Sequence, residues 1–437
     1  MKTEIITSSE LIASCTNSER ILLINPPVVE MRYQWIRWNQ PLDLLKIGNF
    51  LRKEKGCEVR LYDFMLPKGG KVARGTNKPK AEVSLDGCSY PLWRYGESND
   101  KFRQQLNDYR ASGWHPNQVW ITSLTSYWWI GVRSTVTLIK SMFPDTKVVI
   151  YGQYPSLETI HAQEHSLADA VVTDKIDVTG YSADFNLYEN GKPSFCGLDA
   201  RDKDWPAEVG KKFKSGISDF VFFNDDILIP EWDLLHKLNL LRDEVSVKSN
   251  RKLRFHALCG LYPSRFNEGA ARAMKDAGFA SLHFEQEMSG GELSLEPYKI
   301  ALEAYRKADY RLSPNNVSGF LFIGLPSDDL EAIIKHMMNL LEVWGNVILK
   351  PYTPTPGSPE YQQYAHLFRD EALEKLSPHA FPFSRVNGIG HNDYDELYTL
   401  AAALNQKVRD RSFDTFPGTL AYQMIKTSLE REVWKLG

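Results

Sequence analysis

Three sets of residues in this 437-residue chain could do chemistry. The first set lies where apolar runs end. Asp225 and Asp226 follow one run, Glu285 and Glu287 flank Gln286 after another, Asn315 and Asn316 open a third, and Lys350 with Tyr352 closes a fourth. Paired carboxylates at the carboxyl end of a strand can bind a hydroxylated substrate or a cation, or move a proton. One of the two aspartates can equally serve as a helix N-cap, with the other solvated. Glu285 and Glu287 are two apart, so in a strand both face one side and both are expected in one pocket mouth. The second set is three loops: Asn25-Pro26-Pro27, the stretch Thr122, Ser123, Leu124, Thr125, Ser126, Tyr127, Trp128 and Trp129, and Gly152-Gln153-Tyr154-Pro155-Ser156. Hydroxyl groups can rim a polar ligand, and three consecutive aromatics can cover a wide planar one or pack within the protein. Met31–Trp38 is a further aromatic and basic stretch that lines a cleft or packs as an ordinary loop. The third set is five cysteines, Cys15, Cys57, Cys88, Cys196 and Cys259, of which the closest two are 31 residues apart. His115 and His161 stand singly, and a capping or surface role is expected for them rather than metal ligation. No Ser/His/Asp order, phosphate loop or His-x-x-x-His metal spacing stands out.

The elements that must position these residues follow from hydrophobic periodicity. Ile21–Ile24 is a short apolar run ended by a Pro pair, which reads as a buried strand and a loop. Leu44, Ile47, Gly48 and Leu51 recur at helical spacing, and Val59–Asp63 reads as the next strand. After a long polar insertion over residues 66–115, strands are expected at Val119–Ser123, Val148–Tyr151 and Ala168–Val172. A helix carrying Val132, Val136, Ile139 and Phe143 lies between the first two. This alternation predicts a doubly wound parallel sheet over about residues 18–180. A second alternation has strands near 218–224, 253–258, 280–285, 316–323 and 346–351, with an amphipathic helix over 328–343. It predicts a partial or full β/α barrel over 181–365, followed by a helical C-terminal tail over 366–437.

Composition excludes some partners. A net charge of −3 gives no electrostatic argument for nucleic acid or an anionic membrane. No apolar run approaches 18 residues, and Met1–Arg20 has no signal-peptide core. Unclustered cysteines in a large chain point to free thiols and a cytoplasmic location.

Together, the stretches have the order and spacing of a known family. Leu23–Pro27, Pro41–Gly48, Asp63, Thr122-Ser123, Tyr127–Val132 and Tyr151–Leu157 with His161-Ala162 resemble the cobalamin-binding domain of cobalamin-dependent radical S-adenosylmethionine (SAM) proteins. Phe222–Asp226, Met274–Phe279, Gly324–Pro326 and Tyr352–Ser358 are similar to their barrel, so the resemblance covers about residues 20 to 420. It implies a Rossmann-like cobalamin-binding domain followed by a radical-SAM-like partial barrel. Cobalamin would be carried between them by Asn25, Pro26, Ser123–Trp128 and Gly152–Ser156. The family holds a [4Fe–4S] cluster on CxxxCxxC, and that motif is absent; the matching region reads Ser194-Phe195-Cys196-Gly197-Leu198-Asp199-Ala200. A single cysteine cannot hold such a cluster. The D-x-H-x-x-G pattern of a cobalt-ligating histidine is absent as well. The family's SAM-contacting stretch is altered to Phe284-Glu285-Gln286-Glu287-Met288-Ser289, where Glu285 or Glu287 could still reach a ribose.

Three functions are compatible with this pattern. In one, cobalamin delivers a methyl group to a small-molecule substrate by polar transfer, with SAM or another donor recharging it, and Asp225, Asp226, Glu285 and Lys350 orient the substrate. In another, the chain is a non-catalytic cobalamin-binding partner or sensor of an intact radical SAM homologue. In the third, the cobalamin site is vestigial and the scaffold holds another small molecule.

Overall fold

The structure is a computed structural model that describes residues 3–31, 38, 40–67, 72–73, 81–85, 88–188, 193–224, 226–245, 252–289, 292–313, 316–368 and 371–409. It divides into two compact units. Met1–Pro193 with Thr353–Pro382 forms the first, and Ser194–Tyr352 with the described residues from Phe383 on forms the second. The expected boundary at 180/181 lies close to the first division. The boundary expected at 365/366 falls inside a segment that belongs to the first unit.

The strands of the first unit are β1 (Glu4–Ile6), β2 (Arg20–Asn25), β3 (Val28–Glu30), β4 (Glu58–Asp63), β5 (Ala81–Leu85), β6 (Cys88–Tyr95), β7 (Gln118–Ser123), β8 (Lys147–Gly152) and β9 (Ala170–Val172). Six of them form one parallel sheet in the order β1-β9-β8-β7-β2-β4. Ile21–Ile24, Val119–Ile121 and Val148–Ile150 are fully buried, as parallel strands covered on both faces require. The helix Leu42–Glu54 carries the chain from β2 outward to β4. The chain then returns across β2 to β7 and proceeds in the opposite direction through β8 and β9. This is a Rossmann-like α/β sheet whose strand order reverses between β2 and β7.

Two elements depart from the sequence-based expectation. The polar start of the chain adds β1 to the edge of the sheet and a helix, Ser8–Ala13. Thr7 caps that helix and Glu10 completes a capping box. The supposed insertion also folds: β3, β6 and β5 make a small antiparallel sheet around Val29, Met31, Val83, Leu85 and Leu92. The helix Asn99–Ala111 then buries Phe102, Leu106 and Tyr109.

The second unit contains β10 (Cys196–Leu198), β11 (Asp219–Phe222), β12 (Arg254–Leu261), β13 (Phe279–Phe284), a two-stranded antiparallel ribbon of β14 (Met288–Ser289) and β15 (Glu292–Leu293), β16 (Val317–Ile323) and β17 (Val347–Pro351). Its six-stranded sheet is parallel and runs in chain order, β10-β11-β12-β13-β16-β17. Helices Trp205–Lys214, Leu234–Val245, Glu268–Ala277, Glu296–Lys307 and Leu330–Trp344 connect successive strands. Phe222, Phe255 and Phe279 stack in its core, and Phe284 stacks on Trp344 with ring centres 4.2 Å apart. The tail contributes the helix His391–Arg409. Its Asn405 side chain bonds both main-chain groups of Val347 on the edge strand, at 2.9 and 2.7 Å. Of the expected tail, 410–437 lies outside the described residues. Among the described residues no helix is long and apolar enough to cross a membrane.

Candidate functional site

A doubly wound sheet opens a crevice beyond the carboxyl ends of the strands where its order reverses. Here that point lies between β2 and β7, and a narrow cleft occupies it. Asn25, Pro26, Pro27, Val28, Met65, Ser123, Leu124, Trp128 and Val132 line the cleft, which encloses about 30 Å³ and opens to solvent. The lining carries no charged side chain. Asn25 and Ser123 are its buried hydrogen-bonding groups, while Leu124 is 43% exposed at the rim. Gly152 shapes its neighbour: φ is +103°, and a Cβ there would meet the Ser123 carbonyl oxygen at 2.5 Å, so this position favours glycine.

The structure separates the expected binding loops. Asn25, Pro26, Ser123, Leu124 and Trp128 line the cleft; Thr125, Ser126 and Tyr127 do not. The three aromatics do not form one face: Tyr127 and Trp128 meet edge to face with ring centres 5.6 Å apart, and Trp129 turns away from them. Trp128 Nε1 donates to Glu30 Oε2 at 3.1 Å, and Trp129 turns toward His161 and His165. The third loop is a short helix, Gln153–Leu157. Gly152 reaches Ser123, Ser156 Oγ donates back to the Gly152 carbonyl at 2.9 Å, Tyr154 and Pro155 are buried, and Gln153 is exposed. Of the Met31–Trp38 stretch, 32–37 lies outside the described residues.

Two buried carboxylates stand beside the cleft, Asp63, which the sequence marks only as a strand end and as part of the family resemblance, and Glu30, which it does not mark. Asp63, at the end of β4, accepts from Asn25 Nδ2 at 2.7 Å, Met65 N at 2.9 Å, Trp38 Nε1 at 2.9 Å and Tyr188 OH at 3.1 Å. Burial pushes its carboxyl up to about 6, against the pull of these four donors. Glu30, at the end of β3, accepts from Met31 N at 2.7 Å and Ser377 Oγ at 2.8 Å, and His379 Nδ1 is 3.6 Å away. Burial alone would raise its carboxyl. The His379 ring nearby, with the hydrogen bonds from Met31 N–H and Ser377 Oγ–H, outweighs burial and holds it below the usual range. Glu30 thus ties the loop after β7 to the segment 353–382. Only the position of Asp63 after a strand was legible in sequence. Nothing local marks Ser377 and His379 as partners of a residue almost 350 positions away.

In the second unit, Glu285, just past the end of β13, meets Lys350, the penultimate residue of β17. Lys350 Nζ lies 3.0 Å from Glu285 Oε2, donates to the Cys259 carbonyl at 3.1 Å, and sits 4.8 Å from the ring centre of Phe320. Gly260, at φ +124°, leaves room for the Glu285 carboxylate, which a Cβ would meet at 2.1 Å. Asp226 also reaches the end of β12. Its N–H donates to the Gly260 carbonyl at 2.8 Å, its carboxylate accepts from Tyr262 N at 3.3 Å, and it forms an ion pair with Arg265. Asp225 lies outside the described residues, as does Asn315. Asp226 is neither a helix cap nor a free carboxylate. Glu287 does not share a mouth with Glu285, because β13 ends at Phe284 and the alternation of a strand ends with it. Glu287 accepts from Ser264 Oγ at 2.6 Å, and the intervening Gln286 Oε1 accepts from Phe322 N at 2.7 Å. Tyr352 stacks on Phe383. Cys196 lies within β10 and is fully buried, and the residues that follow the strand, Asp199–Asp204, include no cysteine. Among the described residues no three His, Cys, Asp or Glu side chains stand together as a metal cluster would need.

The first unit does carry a His-x-x-x-His spacing. His161 and His165 are four apart on the helix Thr159–His165, with ring centres 4.3 Å apart. They are the His-x-x-x-His pattern that did not stand out in the sequence.

No family model matches the chain. No curated protein matches it either. Among solved structures, L-asparaginase I from Vibrio cholerae O1 biovar eltor str. N16961 aligns over 68% of this chain and 99% of its own, at 10% identity and a TM-score of 0.18. A TM-score that low carries no argument.

Proposed function

We propose that the chain is a degenerate member of the cobalamin-binding radical SAM proteins, one that binds cobalamin without a [4Fe–4S] cluster and transfers a methyl group to a small molecule. The observation that supports this best is the uncharged cleft at the β2/β7 reversal, set in the five-strand order β4-β2-β7-β8-β9. That order matches the flavodoxin-like arrangement, in which a planar cofactor binds at the switch point. The second sheet, six parallel strands in chain order, is compatible with a partial barrel.

The cleft itself encloses only about 30 Å³, so a large neutral cofactor with amide groups at its edge would lie across the rim rather than inside it. Asn25 and Ser123 would hydrogen-bond such amides, while Pro26, Pro27, Leu124 and Trp128 would supply apolar contact. Methylcobalamin, when bound, supplies an electrophilic methyl group. Glu285, Lys350 and Asp226 would hold the substrate, with Lys350 Nζ offering hydrogen bonds to an oxygen of the acceptor. SAM is the candidate source of methyl groups. A specific observation favours a second reading, the non-catalytic partner of an intact homologue. Each described acid among the candidate catalytic residues is already matched by a cation, Glu285 by Lys350 and Asp226 by Arg265.

The test is reconstitution of anaerobically purified protein with hydroxocobalamin, followed by gel filtration, absorption spectroscopy and metal analysis. The expected result is a corrin spectrum that co-elutes with the chain, cobalt without iron, and an affinity about tenfold lower in Leu124→Asp. Absence of corrin absorbance defeats the proposal. About four irons per chain would defeat its cluster-free part. Methyl transfer by the isolated chain separates the first reading from the second.

A further inference from the structure

We infer that His161 and His165 form a two-imidazole site for a divalent first-row transition-metal ion, Zn²⁺ or Cu²⁺, on the helix Thr159–His165. This inference does not rest on the cobalamin reading. Residues four apart on a helix project from one face, and two histidines so placed are a known way to present imidazoles to one ion. Two nitrogens on a tetrahedral ion bonded at about 2.0–2.1 Å stand about 3.4 Å apart. Rings with centres 4.3 Å apart and planes tilted by 40° are within reach of that arrangement.

The helix is held in place. Ala162 is fully buried, and Gln163 Nε2 donates to the Thr3 carbonyl at 2.7 Å. His165 faces solvent with its side chain 47% exposed, which gives an ion an entry path. His161 has the second partner that metal-binding histidines usually have. Its Nδ1 is 2.8 Å from the hydroxyl of Tyr154, a side chain with no exposure. When Nδ1–H donates to that oxygen, the Nε2 lone pair is left bare for an ion. Two nearby charges act in opposite senses: the Glu164 carboxylate lies 4.0 Å from His165 Nε2, and the Arg133 guanidinium lies 5.8 Å from the ring centre of Trp129. With no third His, Cys, Asp or Glu side chain in a metal-binding group among the described residues, water completes the coordination shell. Imidazole with open positions suits Cu²⁺ and Zn²⁺ over Mg²⁺ or Ca²⁺.

Trp129 is a built-in reporter. Its ring centre is 4.9 Å from that of His161 and 5.9 Å from that of His165. The experiment titrates the full chain with ZnCl₂ by calorimetry, and with CuCl₂ by tryptophan fluorescence. The expected result is one Zn²⁺ per chain and Cu²⁺ quenching that disappears in Trp129→Phe. His165→Gln, at a half-exposed position that does not threaten the fold, should weaken Zn²⁺ binding at least about tenfold. Tyr154→Phe, which keeps the volume but releases Nδ1, should weaken it about tenfold as well. His366→Ala, at an exposed histidine elsewhere, should change nothing. Zn²⁺ binding of equal affinity and stoichiometry in wild type and His165→Gln would overturn the inference. So would the absence of both Zn²⁺ binding and Cu²⁺ quenching in the wild type.

Discussion

The two parallel sheets treat the carboxyl ends of their strands differently. In the first unit the strand order reverses, so neighbouring loops part at β2 and β7 and leave a cleft without charge. In the second unit the order never reverses. The strand ends around Cys259–Leu261 are closed by ion pairs, Glu285 with Lys350 and Asp226 with Arg265. A topological switch makes room for a ligand whatever the side chains are, whereas a sequential sheet must make room with its side chains. In this chain the side chains of the second sheet mostly bind one another.

Four measurements would break or sharpen that contrast. The largest effect is expected in the first unit, where the cleft depends on a buried charge. Glu30→Ala leaves His379, Ser377 and Trp128 facing a void, and should cost about 3–5 kcal/mol in urea unfolding. If it costs under about 1 kcal/mol, Glu30 does not organise the cleft wall. Next is Lys350→Met, which strands the buried Glu285 and should cost about 3 kcal/mol. A stability gain there would mean that the pair is held under strain for a ligand, and that the second sheet is less closed than it looks. Gly152→Ala should cost about 1–3 kcal/mol, since it combines a positive φ with a close approach to the Ser123 carbonyl. If the chain binds cobalamin as proposed, Gly152→Ala should also lower its retention, while Gly260→Ala should leave it unchanged.

The smallest effect is a pH dependence that each unit contributes separately. Burial raises both Asp63 and Asp328 to about 6. Their unfolded values are near 3.9, so the stabilisation they give is complete below that pH and is lost as pH rises through about 6. Asp328 Oδ2 accepts from Gly324 N and Leu325 N, and asparagine can keep both bonds. Asp328→Asn should therefore reduce the stability lost between pH 5 and 7 by about 1 kcal/mol, leaving the share of Asp63 in place. Glu30 has the opposite sign. Its folded carboxyl is held below the ordinary value, so its contribution is present above the unfolded value and is lost as pH falls.

Most of the strands of the two sheets were legible because buried parallel strands are written as apolar runs, such as Ile21–Ile24 and Val148–Ile150. β10 was not, because Cys196-Gly197-Leu198 is too short to show a period. The helix Asn99–Ala111 was legible in principle. Ser98 caps it, and Phe102, Leu106 and Tyr109 recur at four and three, but the surrounding polarity masked them. Most of the cleft lining was legible: the strand-end rule picked out the loops that carry Asn25, Pro26, Pro27, Ser123, Leu124 and Trp128. It could not foresee that Trp129 parts from Tyr127 and Trp128, because the turn Ser126–Trp128 leaves those two edge to face and sends Trp129 to the two histidines. The ion pairs of Glu285 and Asp226 were illegible for another reason. A carboxylate at a strand end reads the same in sequence whether its neighbour in space is solvent, a substrate or an arginine.

The Asn405 amide gives Val347 the two hydrogen bonds that another strand would have offered. It works as a stop on lateral growth: a side chain 58 positions downstream occupies the edge to which a second molecule could otherwise add. During synthesis β17 is complete well before Asn405 emerges, so the nascent chain passes through a stage with an adhesive border. Truncation ahead of that helix would make this stage permanent and leave a chain open to edge-to-edge pairing.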